Sequence, residues 1–292
     1  MASETLADAS ISGNPTKPKR LNLLLWGPPG SGKTVIAHSL PRTRTIDLDD
    51  GMQSVEWAIK AGVIDRTLND VVKATIIPPQ DDRKNKVMDQ ITKQIDEWVK
   101  EEENDPEKEW DTLIIDSATA LTDASIVLGM KENNRLNVSQ SWSSVRGGLS
   151  GRAMRIQDWG TSAHVFKKLI VQCKGLGKNI VLTAHERVER DDDGNLLSIE
   201  PAVIGQLRNQ LPGMFGEVWY CHTKGSRKKV KRVFQTEPDN YRRCQSKLGC
   251  LDPIEPADFT AIKKKVASFY GVDPDKLWTS QIPHAEPKEA AV

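Results

Sequence analysis

Short runs of consecutive apolar residues alternate along this chain with segments whose apolar positions recur every three or four residues. The first run, residues 21–26 (LNLLLW), leads into Gly27-Pro28-Pro29-Gly30-Ser31-Gly32-Lys33-Thr34 and then a helix-like VIAHSL at 35–40. Further apolar or β-branched runs at 45–48, 71–77, 112–115, 179–183, 217–222 and 229–235 predict strands. Helical spacing predicts helices over 52–61, 87–99, 163–173, 204–211 and 259–270; in the second, Val87, Ile91, Ile95, Trp98 and Val99 share a face. Residues 131–158 are polar and rich in Ser and Gly, long enough for a functional loop. Residues 186–198, with the turn signal DDDGN, read as a second irregular stretch. Strands alternating with helices imply an α/β fold: a mostly parallel sheet flanked by helices, with ligands at the strands' C-terminal ends. A polar tail over 1–19, a core over 20–255 and a C-terminal helix and tail over 256–292 complete the plan.

Composition narrows the class. Hydrophobic residues at 38% and charged residues at 28% fit a globular protein with an ample core. No apolar run reaches the roughly 18 residues of a membrane span, and the N-terminal segment lacks a signal-like stretch, so a cytoplasmic protein is expected. The net charge of +1 does not by itself announce a polyanionic partner. Its distribution says more: residues 96–109 are acid-rich, whereas 224–232 (KGSRKKVKR) hold six basic residues and no acid. Cys221, His222, Cys244 and Cys250 lack the paired spacing of structural zinc sites, so ordinary reduced thiols are expected.

The chemistry concentrates in residues 27–34. They satisfy G-x-x-x-x-G-K-[ST] with a strand before and a helix after. The glycines let backbone N–H groups turn toward phosphate oxygens, and the helix start adds its positive end. Lys33 is expected on the β- and γ-phosphates of ATP, and Thr34 offers a hydroxyl to Mg2+. The run Leu113-Ile114-Ile115-Asp116 fits a Walker B strand whose carboxylate holds the same ion. For the base or water-positioning group, the candidates are Asp49 and Asp50, with Asp47, after a strand expected beside the P-loop strand, and His185, which ends IVLTAH.

This order of parts resembles the RecA-like recombinase core. GPPGSGKT, LDDG, LIIDSATAL, QDWG, IVLTAHERVE and PAVIGQLRNQLPGMFGEVWY are similar to the phage nucleotide-binding P-loop ATPases, which include the Sak-type single-strand annealing proteins. The resemblance spans roughly residues 20–250. It implies a RecA-like ATPase of homologous recombination in the host cytoplasm, working as a ring or filament on single-stranded DNA, with a single-strand-binding protein as a further partner. It places Asp49 at the catalytic glutamate, with Asp50 beside it, and His185 at a γ-phosphate sensor. It also implies DNA-facing loops at 131–158 and 186–212, and a basic residue acting on a neighbour's site, for which Arg242, Arg243 and Lys247 are candidates.

DNA contact would fall to Arg135, Trp142, Arg146, Arg152 and Arg155 in the first loop and to Lys228, Lys229, Lys231 and Arg232 in the basic run. Cations neutralise phosphates, and indoles stack on bases without sequence preference. Two other functions stay open on the residues alone: a DNA-stimulated motor or helicase loader, and a P-loop small-molecule kinase whose lid would use the arginines of 135–155.

Overall fold

The computed structural model describes residues 20–64, 71–73, 87–132, 156–225 and 230–279. In chain order these form β1 (Asn22–Gly27), α1 (Lys33–Ala37), β2 (Thr43–Asp47), α2 (Met52–Lys60), β3 (Val71–Lys73), α3 (Val87–Asn104), β4 (Thr112–Asp116), α4 (Ala118–Glu132), α5 (Ile156–Gly175), β5 (Asn179–Arg190), β6 (Leu196–Pro201), α6 (Leu207–Gln210), β7 (Glu217–Lys224), β8 (Lys231–Gln235), β9 (Ile254–Pro256) and α7 (Phe259–Tyr270).

Alternation along the strands explains the layering. On β1, Leu24 and Trp26 face one core while Leu23 and Leu25 face another; Ile115 and Ile114 divide in the same way on β4. Successive side chains of a strand point to opposite faces, so strands apolar at every position must be covered on both sides. Helices α3, α4 and α5 cover the first face through Ile91, Trp98, Leu121, Phe166 and Ile170. Helices α1 and α7 cover the second through Ile36, Phe259, Ile262 and Val266. The expected C-terminal extension thus packs into the same core as β1 and β7, and β9 crosses the boundary drawn at residue 255.

The sheet runs β3-β2-β4-β5-β1-β7-β8-β9, with β6 paired to the outer part of β5. Pairings from β3 through β7 are parallel, and β8 and β9 add an antiparallel edge. This is the expected α/β architecture, a mostly parallel sheet flanked by helices. One expectation needs correcting: β2 is not beside the P-loop strand, because β4 and β5 lie between them. Register nevertheless gathers the strand ends. Gly27 pairs with His185, and Asp47 with Asp116.

Three local differences have physical causes. The stretch 186–198 is not irregular, because β5 continues to Arg190 and returns as β6, with Asp191 accepting from the Asn195 amide at the turn. Helix α4 was not foreseen, since ATALTDASIVLGMKE spreads small and apolar residues round its whole circumference. Small residues there permit close helix packing: a Cβ on Gly129 would come within 2.5 Å of Ser162 Oγ on α5. The helix expected over 204–211 is only α6, which starts at Leu207 because Gly205 takes a left-handed φ of 52° ahead of it. Among the described residues, no helix is long and apolar enough to cross a membrane.

Candidate functional site

Construction of the site begins where β1 ends. Gly27 has φ 149°, and a Cβ there would collide with the carbonyl oxygen of Cys221 on β7. Gly27→Ala is therefore expected to destabilise the fold by about 2–4 kcal/mol, combining overpacking with backbone strain. Thermal unfolding followed by circular dichroism checks this. Beyond it, Gly30 (φ 74°) and Gly32 (φ 94°) take left-handed conformations that let the turn curl. Helix α1 spans only five residues, so its dipole adds little, and the cradle rests on backbone amides and Lys33. Lys33 is buried, and its Nζ donates to the carbonyls of Gly27 (3.0 Å) and Pro28 (2.9 Å). Burial pushes its ammonium below the usual value, against the pull of Cys221, Asp116, Glu186 and Asp49.

Across the cleft, the buried Asp116 closes β4. Thr34 Oγ1 donates to Asp116 Oδ2 at 2.6 Å, and Thr183 Oγ1 donates to Oδ1. Burial pushes the Asp116 carboxyl up; those two hydrogen bonds oppose the shift, and the charges of Asp49 and Asp47 reinforce it. Asp47 Oδ1 accepts the amides of Asp49 (3.2 Å) and Gly51 (3.1 Å), while its buried Oδ2 has no hydrogen-bond partner among the described residues. A hard divalent cation fits this oxygen-rich corner, because it would relieve both the crowded charge and the orphaned oxygen. Among the described residues, no cluster of three or more His, Cys, Asp or Glu is placed to hold a metal. One carboxylate and one hydroxyl nevertheless suffice for Mg2+, which takes its other ligands from phosphates and water. Gly51 leaves room there: a Cβ on it would lie 3.5 Å from Asp116 Oδ2.

The turn after β2 separates the three aspartates. Asp47 organises the turn; Asp49 faces His185, whose Nε2 lies 3.1 Å from Asp49 Oδ2; Asp50 is exposed at φ 56° and does not line the cleft. Burial alone would raise the Asp49 carboxyl. Hydrogen bonds from His185 and Ser117, with the charges of His185 and Lys33, outweigh it and hold the group below its usual value. His185 is itself anchored, its amide donating to Thr119 Oγ1 at 3.1 Å.

Lys33, Thr34, Asp49, Gly51, Asp116 and His185 share one cleft of about 650 Å³, lined also by Trp57, Ser54 and Arg232. Sequence reasoning missed Thr183, Thr119, Trp57 and Ser54. A signal existed for Thr183: it stands two residues before His185 on a strand and so shares its face. Arg232 had been read only as a DNA contact, yet the structure sets it in the nucleotide cleft.

The residues considered for action on a neighbour lie elsewhere. Arg242 pairs with Asp239 at 2.7 Å and stacks over Tyr220, with its carbon 4.6 Å from the ring centre. Arg243 is exposed and reaches Asn209 at 3.2 Å, and Lys247 is exposed. Lys231 is exposed on β8, whereas Arg135, Trp142, Arg146, Arg152, Arg155, Lys228 and Lys229 lie outside the described residues. Cys173, Cys221, Cys244 and Cys250 are free thiols.

A family model described as an AAA domain matches residues 19–242. No curated protein matches the chain. Among solved structures, the flagellar accessory protein FlaH from Methanocaldococcus jannaschii matches at 10% identity, covering 77% of this chain and 83% of that one with a TM-score of 0.36.

Proposed function

Because the chain belongs to the AAA domain family, we propose that it is a Mg2+-dependent ATPase whose nucleotide state controls the binding and annealing of single-stranded DNA in phage recombination. The observation that carries the nucleotide half is the 2.6 Å hydrogen bond from Thr34 to Asp116. It joins the glycine-rich turn to the end of β4 and brings a hydroxyl, a buried carboxylate and Lys33 round one cleft. The phosphates of ATP would lie on the turn over residues 27–34, with Trp57, 65% exposed at the cleft, offering an indole face to the base. Thr34 and Asp116 would hold Mg2+, which neutralises phosphate charge. Asp49, kept ionised, is suited to orient the attacking water.

The DNA half draws on other support. Lys224 on β7 and its partner Lys231 on β8 are exposed beside Arg232, and the motif resemblance is to single-strand annealing ATPases. His185 starts the outer segment of β5 that pairs with β6, so a change at His185 is conveyed to residues 186–201. DNA favouring the same conformation would be coupled reciprocally to ATP. The exposed Arg243 and Lys247 are available to a neighbouring subunit in a ring or filament.

Fluorescence anisotropy of a labelled oligonucleotide tests this reading. Binding should tighten with ATP and Mg2+ and weaken with salt, log K falling by about 0.7 per log unit of salt for each phosphate neutralised. DNA affinity indifferent to both nucleotide and salt would sink the DNA half. Turnover stimulated by nucleosides instead of DNA would point to a phosphotransferase.

A further inference from the structure

Among the described residues, Arg232 is a cation without a paired carboxylate. It is exposed on β8 opposite Thr223 of β7. Strand β7 lies beside β1 with Tyr220 against Trp26, so position 223 stands beyond the end of the P-loop strand. From there the side chain reaches back over the phosphate turn. A Cβ added to Gly32 would lie 2.9 Å from both Cδ and Nε of Arg232, so the arginine side chain lies directly against the turn. Arg232 lines the same cleft as Gly30, Gly32, Lys33 and Thr34. Lys33 and Arg232 both act electrostatically on the Cys221 thiol, which sets the two cations on one locality.

Two cations converging on one turn repel each other unless an anion lies between them. Lys33 has Asp116 and Asp49 nearby; Arg232 pairs with no carboxylate among the described residues. The anion this turn is shaped for is a phosphate chain, and guanidinium binds phosphate oxygens through a planar fork of donors.

We infer that Arg232 is a phosphate-binding residue for the nucleotide held by its own chain, so that β8 completes the site in cis. This rests on the nucleotide reading above and deepens it. It assigns to a residue of the same subunit the cationic role that the resemblance sought in a neighbour's Arg242, Arg243 or Lys247. It also makes β8 a nucleotide-responsive element, since ordering Arg232 on phosphate fixes the strand that carries Lys231.

The test uses the full chain and a fluorescent N-methylanthraniloyl derivative of ATP. Arg232→Ala is expected to weaken binding about 10- to 150-fold, the range of a charge-assisted hydrogen bond. Arg232→Lys should recover part of the loss, because it restores charge without the fork. The exposed position predicts unchanged thermal unfolding in both variants. Subunit mixing then separates cis from trans. Arg232→Ala subunits mixed with Lys33→Ala subunits should not regain turnover. Recovery on mixing would overturn the inference by showing that a neighbour supplies the arginine. Unchanged affinity in Arg232→Ala would overturn it too, even if DNA binding fell. A wild-type chain that binds no ATP derivative would instead sink the nucleotide reading itself, an outcome distinct from either.

Discussion

Replacing Lys33 with alanine is expected to weaken ATP binding about 10- to 150-fold and turnover by about 10²–10³. The side chain is buried and holds two carbonyls of its own turn, so its ammonium lies inside the cradle rather than at the rim. Burial pushes its ionisation below the usual value, with the nearby carboxylates opposing that shift. An arriving triphosphate adds negative charge beside it and favours the protonated form, so the interaction is strongest where phosphate charge is greatest. Alanine removes that charge but also ends the cost of burying it, so the ligand-free protein should melt at nearly the same temperature. The contrast is the useful readout. In thermal-shift titrations the wild type should rise with ATP by the linkage amount, RT ln(1 + [L]/Kd), while Lys33→Ala should need about 10- to 150-fold more ATP for the same rise. An alanine variant with wild-type ATP affinity would place the phosphates away from residues 27–34 and remove the basis of the functional reading.

The site was unevenly legible in the sequence, and the unevenness has physical causes. Residues 27–34 were readable because every function in a phosphate turn is local: glycines for curvature, a lysine and a threonine at fixed offsets. Asp116 was readable because a buried strand that ends in a carboxylate shows as three apolar residues and an acid. Strand order was not readable. The insertion of β4 and β5 between β1 and β2 is decided by which edges pair, and nothing in the 45–48 run encodes its neighbour. Arg232 was misread for the same reason. Within KGSRKKVKR it is one cation among six, and only the pairing of β7 with both β1 and β8 brings it over Gly32. Helix α4 escaped because small residues carry little periodic signal, even though they let α4 and α5 approach closely. The β5–β6 hairpin escaped because charged residues (Glu186, Arg187, Glu189 and Arg190) crowd the outer part of β5, and DDDGN marks only the tip of the stretch.

Asp49→Asn should lower ATP turnover by about 10²–10⁴ while leaving ATP affinity little changed. Asp49 touches none of the P-loop groups, but its Oδ2 lies 3.1 Å from His185 Nε2 at the edge of the cleft. Burial works to protonate it; His185, Ser117 and Lys33 keep it ionised. A carboxylate so held can accept a hydrogen bond from water and orient it, which asparagine does far less well. His185→Ala gives a sharper check through pH. The histidine holds the carboxyl's pKa down and so keeps it ionised; removing it lets Asp49 protonate at higher pH. A depressed acidic group is active above its folded-state value and loses function as pH falls through it. The acid limb of the turnover profile should therefore move to higher pH in His185→Ala. In the double variant the two losses should not add, since each single change already breaks the same pair. The coupling expected for groups in contact is about 0.5–3 kcal/mol. Additive losses with an unmoved acid limb would mean that Asp49 and His185 act separately. His185 would then have no part in setting the charge of the water-orienting carboxylate.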